Sequence, residues 1–140
     1  MPFVRIDLPA GKSAQHRRTI GDVVYNALLT IGVPKNDRFQ AITEHAPESL
    51  ILDPAYLGIE RSADALFIQI TLNEGRTVDQ KRGLYKSIAD GLHERLKMRR
   101  EDVSINLVEV PKANWSYGNG EAQYDPASDV AHGNPDVQMR

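Results

Sequence analysis

The chain contains no cysteine, which excludes disulfide bonds and thiolate nucleophiles from its chemistry. No apolar run approaches the ~18 residues of a membrane-spanning helix. The first residues also lack the basic segment and apolar stretch of a secretory signal. A cytoplasmic protein with no membrane partner is therefore expected. An excess of charge of one sign is missing too: 17 Lys and Arg stand against 19 Asp and Glu, for a net charge of -2. That balance supplies no general attraction for nucleic acid or an anionic surface, so no nucleic-acid partner is expected. His16, His45, His93 and His132 show no metal-ligand spacing with one another or with carboxylates, so no metal is expected either.

The 140 residues are 41% hydrophobic and 26% charged, values of a globular domain long enough for a continuous core. Their most informative feature is an internal repeat. Ile6-Asp-Leu-Pro-Ala-Gly-Lys-Ser13 aligns without a gap on Ile70-Thr-Leu-Asn-Glu-Gly-Arg-Thr77. The same offset pairs Arg17 with Lys81, Ile20 with Leu84, Val24 with Ile88, Leu28 with Leu92 and Phe39 with Val103.

Each unit reads strand, helix, strand. Val4, Ile6 and Leu8 alternate with Arg5 and Asp7, as Ile68, Ile70 and Leu72 do with Gln69 and Thr71, the period of a strand with one buried face. Ser13 and Thr77 stand as N-caps, with Gln80 completing a capping box. Ile20, Val23, Val24, Ala27, Leu28 and Ile31 then recur at helical spacing, as do Leu84, Ile88, Leu92 and Leu96. Gly32 and Pro34 close the first helix, and second strands are expected over Phe39–His45 and Val103–Val110. A strand-helix-strand crossover makes its two strands parallel. The expected fold is thus α/β (α+β): a tandem βαβ-βαβ arrangement with a four-stranded sheet and two helices on one face. Residues 1–124 are read as one domain of two units, about 2–45 and 66–110, and 125–140 as a polar C-terminal tail. The apolar run Leu50-Ile-Leu52 between the units suggests a small extra strand or a turn.

Pro2 before a strand and a Gly-Lys-Ser turn, followed by Glu74-Gly-Arg-Thr-Val-Asp-Gln-Lys81, resembles the start of the 4-oxalocrotonate tautomerases. Gly32-Val-Pro-Lys-Asn-Asp-Arg-Phe-Gln40, Thr43-Glu-His45 and Trp115-Ser-Tyr-Gly-Asn-Gly120 look like the malonate semialdehyde decarboxylase branch of the tautomerase superfamily. The resemblance spans about residues 2–124. It implies the βαβ-βαβ fold, a homotrimer with active sites near subunit contacts, a small oxo-acid substrate, and no metal or organic cofactor.

The resemblance also assigns roles. Pro2, once Met1 is removed, becomes a secondary amine able to move a proton between carbon and oxygen of a keto–enol pair. Ordinary α-amino groups titrate at about 7.7–8.0, and an apolar pocket with a neighbouring cation lowers that value toward neutrality. Asp37 matches the aspartate that activates water or orients substrate; as a plain residue it is equally a turn acid after Pro34. Arg76, just before a helix N-cap, is suited to meeting a substrate carboxylate bidentately, or is a solvated turn cation. Lys12 is its counterpart in the first unit. Trp115 and Tyr117 match the aromatic wall of the pocket, or pack over the sheet or against a neighbouring subunit. The sequence departs from the decarboxylase branch at Glu74, where the resemblance calls for a second arginine. The favoured function is a tautomerase on a small 2-oxo acid. The alternatives are a decarboxylase or hydratase that uses Asp37, and a non-catalytic trimeric binding protein.

Overall fold

Apolar residues at every second strand position and every third or fourth helix position can be buried together only if helices lie across one face of a sheet. The computed structural model, which describes residues 2–124, has that arrangement. Its elements are β1 (Phe3–Pro9), α1 (Ala14–Leu29), β2 (Gln40–His45), β3 (Leu66–Asn73), α2 (Val78–Leu96) and β4 (Val103–Val110). The sheet order is β2-β1-β3-β4. β1 runs parallel to β2, β3 parallel to β4, and β1 antiparallel to β3. The two helices begin 64 residues apart, at Ala14 and Val78, the offset of the sequence repeat.

One core serves both units. Val4, Ile6 and Leu8 of β1 and Ile68, Ile70 and Leu72 of β3 are buried together with Ile20, Val24 and Leu28 of α1 and Leu84, Ile88 and Leu92 of α2. Each such side chain contributes roughly 1.5–3 kcal/mol through burial. The helices approach closely at Gly91, where a Cβ would lie 2.8 Å from Val23 Cγ1. The opposite sheet face carries polar pairs: His45 Nε2 lies 2.7 Å from Asp7 Oδ1, and Gln69 Nε2 donates to Asn106 Oδ1 at 3.0 Å.

The caps follow the residues that encode them. Ser13 accepts from His16 N at 3.0 Å, and Thr77 and Gln80 form the reciprocal capping box. Gly11 and Gly75 hold φ of 106° and 119°, backbone that glycine adopts without steric cost. These two turns deliver Lys12 and Arg76 to the helix starts. Between the units, the run Leu50–Leu52 forms no strand. Short 3₁₀ turns over Pro47–Ser49 and Tyr56–Gly58 flank it, and Ile51 is 86% exposed. Pro47 and Pro54 each lack an N–H for a ladder. The polar tail expected over 125–140 lies outside the described residues.

Candidate active site

The strand directions bring four chain segments to one end of the sheet. The start of β1 lies beside the start of β2, where Val4 N donates to Phe39 O at 2.9 Å. Phe3 faces Thr71 and Asn73 faces Val110, so the ends of β3 and β4 arrive at the same place. Pro2, directly before β1, is buried there. Asp37 is buried too, in a turn closed by its own N–H donating to Pro34 O at 3.2 Å.

The chain beyond β4 folds back over this end. Trp115 stacks on Tyr117 with centroids 5.1 Å apart, Phe39 meets the same ring at 5.0 Å, and Tyr124 meets it edge-on at 6.2 Å. Trp115 Nε1 donates to Asn73 Oδ1 at 2.7 Å, fastening the segment to β3. The Tyr117 hydroxyl oxygen is inaccessible to solvent. Burial above all, then the charges of Asp37 and Tyr124, hold its pKa above the ordinary tyrosine value. It is therefore a protonated hydroxyl throughout the physiological range.

Arg76 supplies the cation. It is half-buried, and its Nη1 donates to Asn73 O at 3.1 Å. Burial lowers its pKa from the usual arginine value, opposed by Glu109 and Tyr124, but a guanidinium stays charged at neutral pH. Glu109 is itself bound by Lys81 at 2.5 Å, and among the described residues Arg76 makes no ion pair. Its guanidinium thus retains donors for an incoming carboxylate. Glu74 is exposed, its N–H donating to Val110 O at 3.0 Å.

Of the residues singled out in the sequence, Pro2, Asp37, Arg76, Trp115 and Tyr117 thus share one end of the sheet. Lys12 does not. It lies beyond the other end of β1, where Nζ binds Asp64 at 3.0 Å in a cleft also lined by Leu8, His16, Leu66 and Arg99. That cleft is the repeat's counterpart of the Pro2 end, with Leu66 standing where the first unit has proline. Three site residues escaped the sequence reading. Phe39 reads as the first residue of a strand, Asn73 as one of the repeat's turn residues, and Tyr124 as the end of the domain. Only the 44% exposure of Phe39 marks it as unusual, and exposure is a property of the fold.

The histidines stand apart from this end. His45 pairs with Asp7, His93 Nδ1 lies 3.0 Å from Met98 O, and His16 lines the Lys12 cleft; His132 lies outside the described residues. Among the described residues no group of three His, Cys, Asp or Glu is placed to hold a metal ion. None of the described helices is long and apolar enough to cross a membrane.

Comparison with known proteins gives concordant matches. Two family profiles, each described as "Tautomerase enzyme", match residues 37–118 and 2–59. The chain is 39% identical over 124 residues to the probable tautomerase YusQ of Bacillus subtilis (strain 168), covering 88% of this chain and 98% of that protein. Among solved structures it resembles FG41 malonate semialdehyde decarboxylase inhibited by 3-bromopropiolate. There the TM-score is 0.82 and the identity 36%, over 87% of this chain and 93% of the other. A second malonate semialdehyde decarboxylase structure gives a TM-score of 0.81 at 30% identity, over 86% and 94% of the two chains.

Proposed function

The chain belongs to the tautomerase family, and on that premise we propose that Pro2, made N-terminal by removal of Met1, is the general base and acid of a keto–enol isomerisation. The substrate class is a small 2-oxo acid, phenylpyruvate-like in shape. The unprotonated secondary amine takes the hydroxyl proton of the enol and returns it to C3, giving the ketone. One proton moves and none is lost. Such an isomerisation needs no electron acceptor and no group donor, so no cofactor enters this reading.

The observation that carries the proposal is the convergence of a buried Pro2 with Arg76 and an aromatic wall at one end of the sheet. Burial disfavours the ammonium form of the amine, and so does a neighbouring guanidinium. Both bring its titration toward the operating pH, where a base is most effective. Arg76 meets the substrate carboxylate, Trp115 and Tyr117 flank the planar enol, and Asp37 orients the reacting end. The experiment is turnover of phenylenolpyruvate by processed protein. Pro2→Ala should lower it at least ~100-fold, the usual contribution of a general base. Full activity in that variant would remove the assignment.

A decarboxylase or hydratase reading is favoured by two observations: the similarity to malonate semialdehyde decarboxylases, and the buried Asp37 whose charge acts on Tyr117. It predicts carbon dioxide release from malonate semialdehyde, lost in Asp37→Ala. Enol turnover without any such release rejects it. We also propose a homotrimer in the cytoplasm, since the edge strands β2 and β4 carry unpaired backbone groups that proteins normally cover.

A further inference from the structure

We propose that Asn73 is a substrate-binding residue: its side-chain N–H₂ holds an oxygen of the oxo-acid head, and Trp115 fixes its orientation. This rests on reading the Pro2 end as an oxo-acid site.

Hydrogen-bond capacity fixes how the Asn73 amide is oriented. Asn73 is 1% exposed, and its Oδ1 accepts the indole hydrogen of Trp115 at 2.7 Å. An indole N–H only donates, so the oxygen of the amide must face Trp115 and the nitrogen must face the other way. Chemistry alone decides that orientation. The nitrogen, Nδ2, is buried and has no hydrogen-bond partner among the described residues. Two strong donors are therefore withdrawn from water with nothing in exchange. Burying such a group is costly unless an acceptor meets it, and native proteins rarely leave one unmet.

The position of Asn73 indicates which acceptor fits. It is the last residue of β3, and the pairing of Phe3 with Thr71 places Pro2 alongside Leu72, one residue away. Its main-chain oxygen receives the hydrogen of Arg76 Nη1. Asn73 is thus next in register to the proposed base and is bonded through its main chain to the cation, and its amide is held by Trp115, which stacks on Tyr117. A ligand reaching both Arg76 and an amide N–H₂ needs neighbouring oxygens, at least one of them anionic. A carboxylate with an oxygen on the adjacent carbon has that pattern. Arg76 takes one carboxylate oxygen, and Asn73 takes a second oxygen of the same head. A neutral donor here leaves the charge matching to Arg76 and adds direction.

The test uses the processed, full-length protein and phenyllactate. That 2-hydroxy acid carries the carboxylate and the C2 oxygen but has no keto–enol pair to interconvert. In ¹⁵N-labelled protein the Asn73 side-chain signals are identified by their loss in Asn73→Leu. Phenyllactate should shift them saturably, at the concentrations at which it inhibits enol turnover. Asn73→Leu should raise the phenyllactate Kd at least tenfold, and Trp115→Phe should raise it by a smaller factor because the amide remains but turns. An Asn73 signal that does not move, or a Kd within twofold of the parent in Asn73→Leu, overturns the proposal. The wild-type titration decides the matter even if the leucine variant does not fold. Binding through Asn73 with no enol turnover by the parent protein would instead overturn only the tautomerase reading.

Discussion

Trp115 donates its indole hydrogen to Asn73 Oδ1 across 2.7 Å, and by that bond the segment after β4 is attached to the last residue of β3. Trp115→Phe keeps an aromatic ring on Tyr117 but removes the donor, leaving a buried amide oxygen without its partner. Such a loss costs about 1–3 kcal/mol. Urea unfolding of the variant should show it as a lower midpoint at unchanged slope. A change below about 0.5 kcal/mol, the level of ordinary surface substitutions, would mean the bond does not anchor the segment.

Asp102 does similar work for the connection between the two units. It is 2% exposed, and it accepts from Ser62 N at 2.7 Å and Ser62 Oγ at 2.6 Å, with Arg99 Nη1 at 3.5 Å. Asp102→Ala leaves a half-buried N–H and a hydroxyl of Ser62 without their acceptor, and should lower unfolding stability by about 1–3 kcal/mol. Asp102→Asn keeps one acceptor and should lose less. Equal losses in the two variants would show that the charge, and not the pair of hydrogen bonds, is what matters.

The raised pKa of Tyr117 has a definite consequence for alkaline stability. In the unfolded chain its hydroxyl ionises near pH ~10, while in the native protein burial and Asp37 keep it protonated at higher pH. Below ~10 both states hold the proton, and the group's contribution is complete. Above it the unfolded chain binds fewer protons than the native one, so stability falls as pH rises. Urea midpoints should therefore drop less steeply in Tyr117→Phe than in the parent once pH exceeds about 10. Parallel slopes would place the Tyr117 hydroxyl in water.

The repeat, the capping residues and the strand–helix order are legible in the sequence because each depends on local spacing. Ile6, Ile20 and Ile70 declare their buried faces within a few residues of chain. The gathering of Pro2, Asp37, Arg76, Trp115 and Tyr117 has no such signal, since it depends on the pairing of β1 with both β2 and β3. Only a resemblance to a known family links those residues in the sequence. Asn73 illustrates what stays hidden. It reads as turn chemistry, and its two unmet hydrogens exist only once Trp115, 42 residues later, has occupied its oxygen. The run Leu50-Ile-Leu52, which left a strand or a turn open, forms no strand. It is apolar enough for a strand, but the flanking prolines and 3₁₀ turns leave Ile51 in solvent.

The proposed homotrimer offers cover to surfaces that the single chain leaves open. Arg5 stands exposed on the uncovered sheet face, and Tyr56 and Leu57 are 64% and 77% exposed on the segment between the units. The proposed homotrimer should sediment at three times the chain mass at micromolar concentration. Tyr56→Glu together with Leu57→Glu should shift it toward smaller species if that segment lies in the contact. A monomeric parent protein under these conditions would contradict the trimer.

The central claim is that the secondary amine of Pro2 moves the proton. The most direct test compares two forms of one sequence, differing only at that nitrogen: processed protein beginning at Pro2, and protein retaining Met1, each verified by intact mass. In the second form the Pro2 nitrogen is an amide and has no basic lone pair. Phenylenolpyruvate turnover at neutral pH should be measured for both. The account predicts that the form retaining Met1 loses at least ~99% of the processed protein's activity, the ~100-fold contribution of a general base. Equal turnover by the two forms would contradict it.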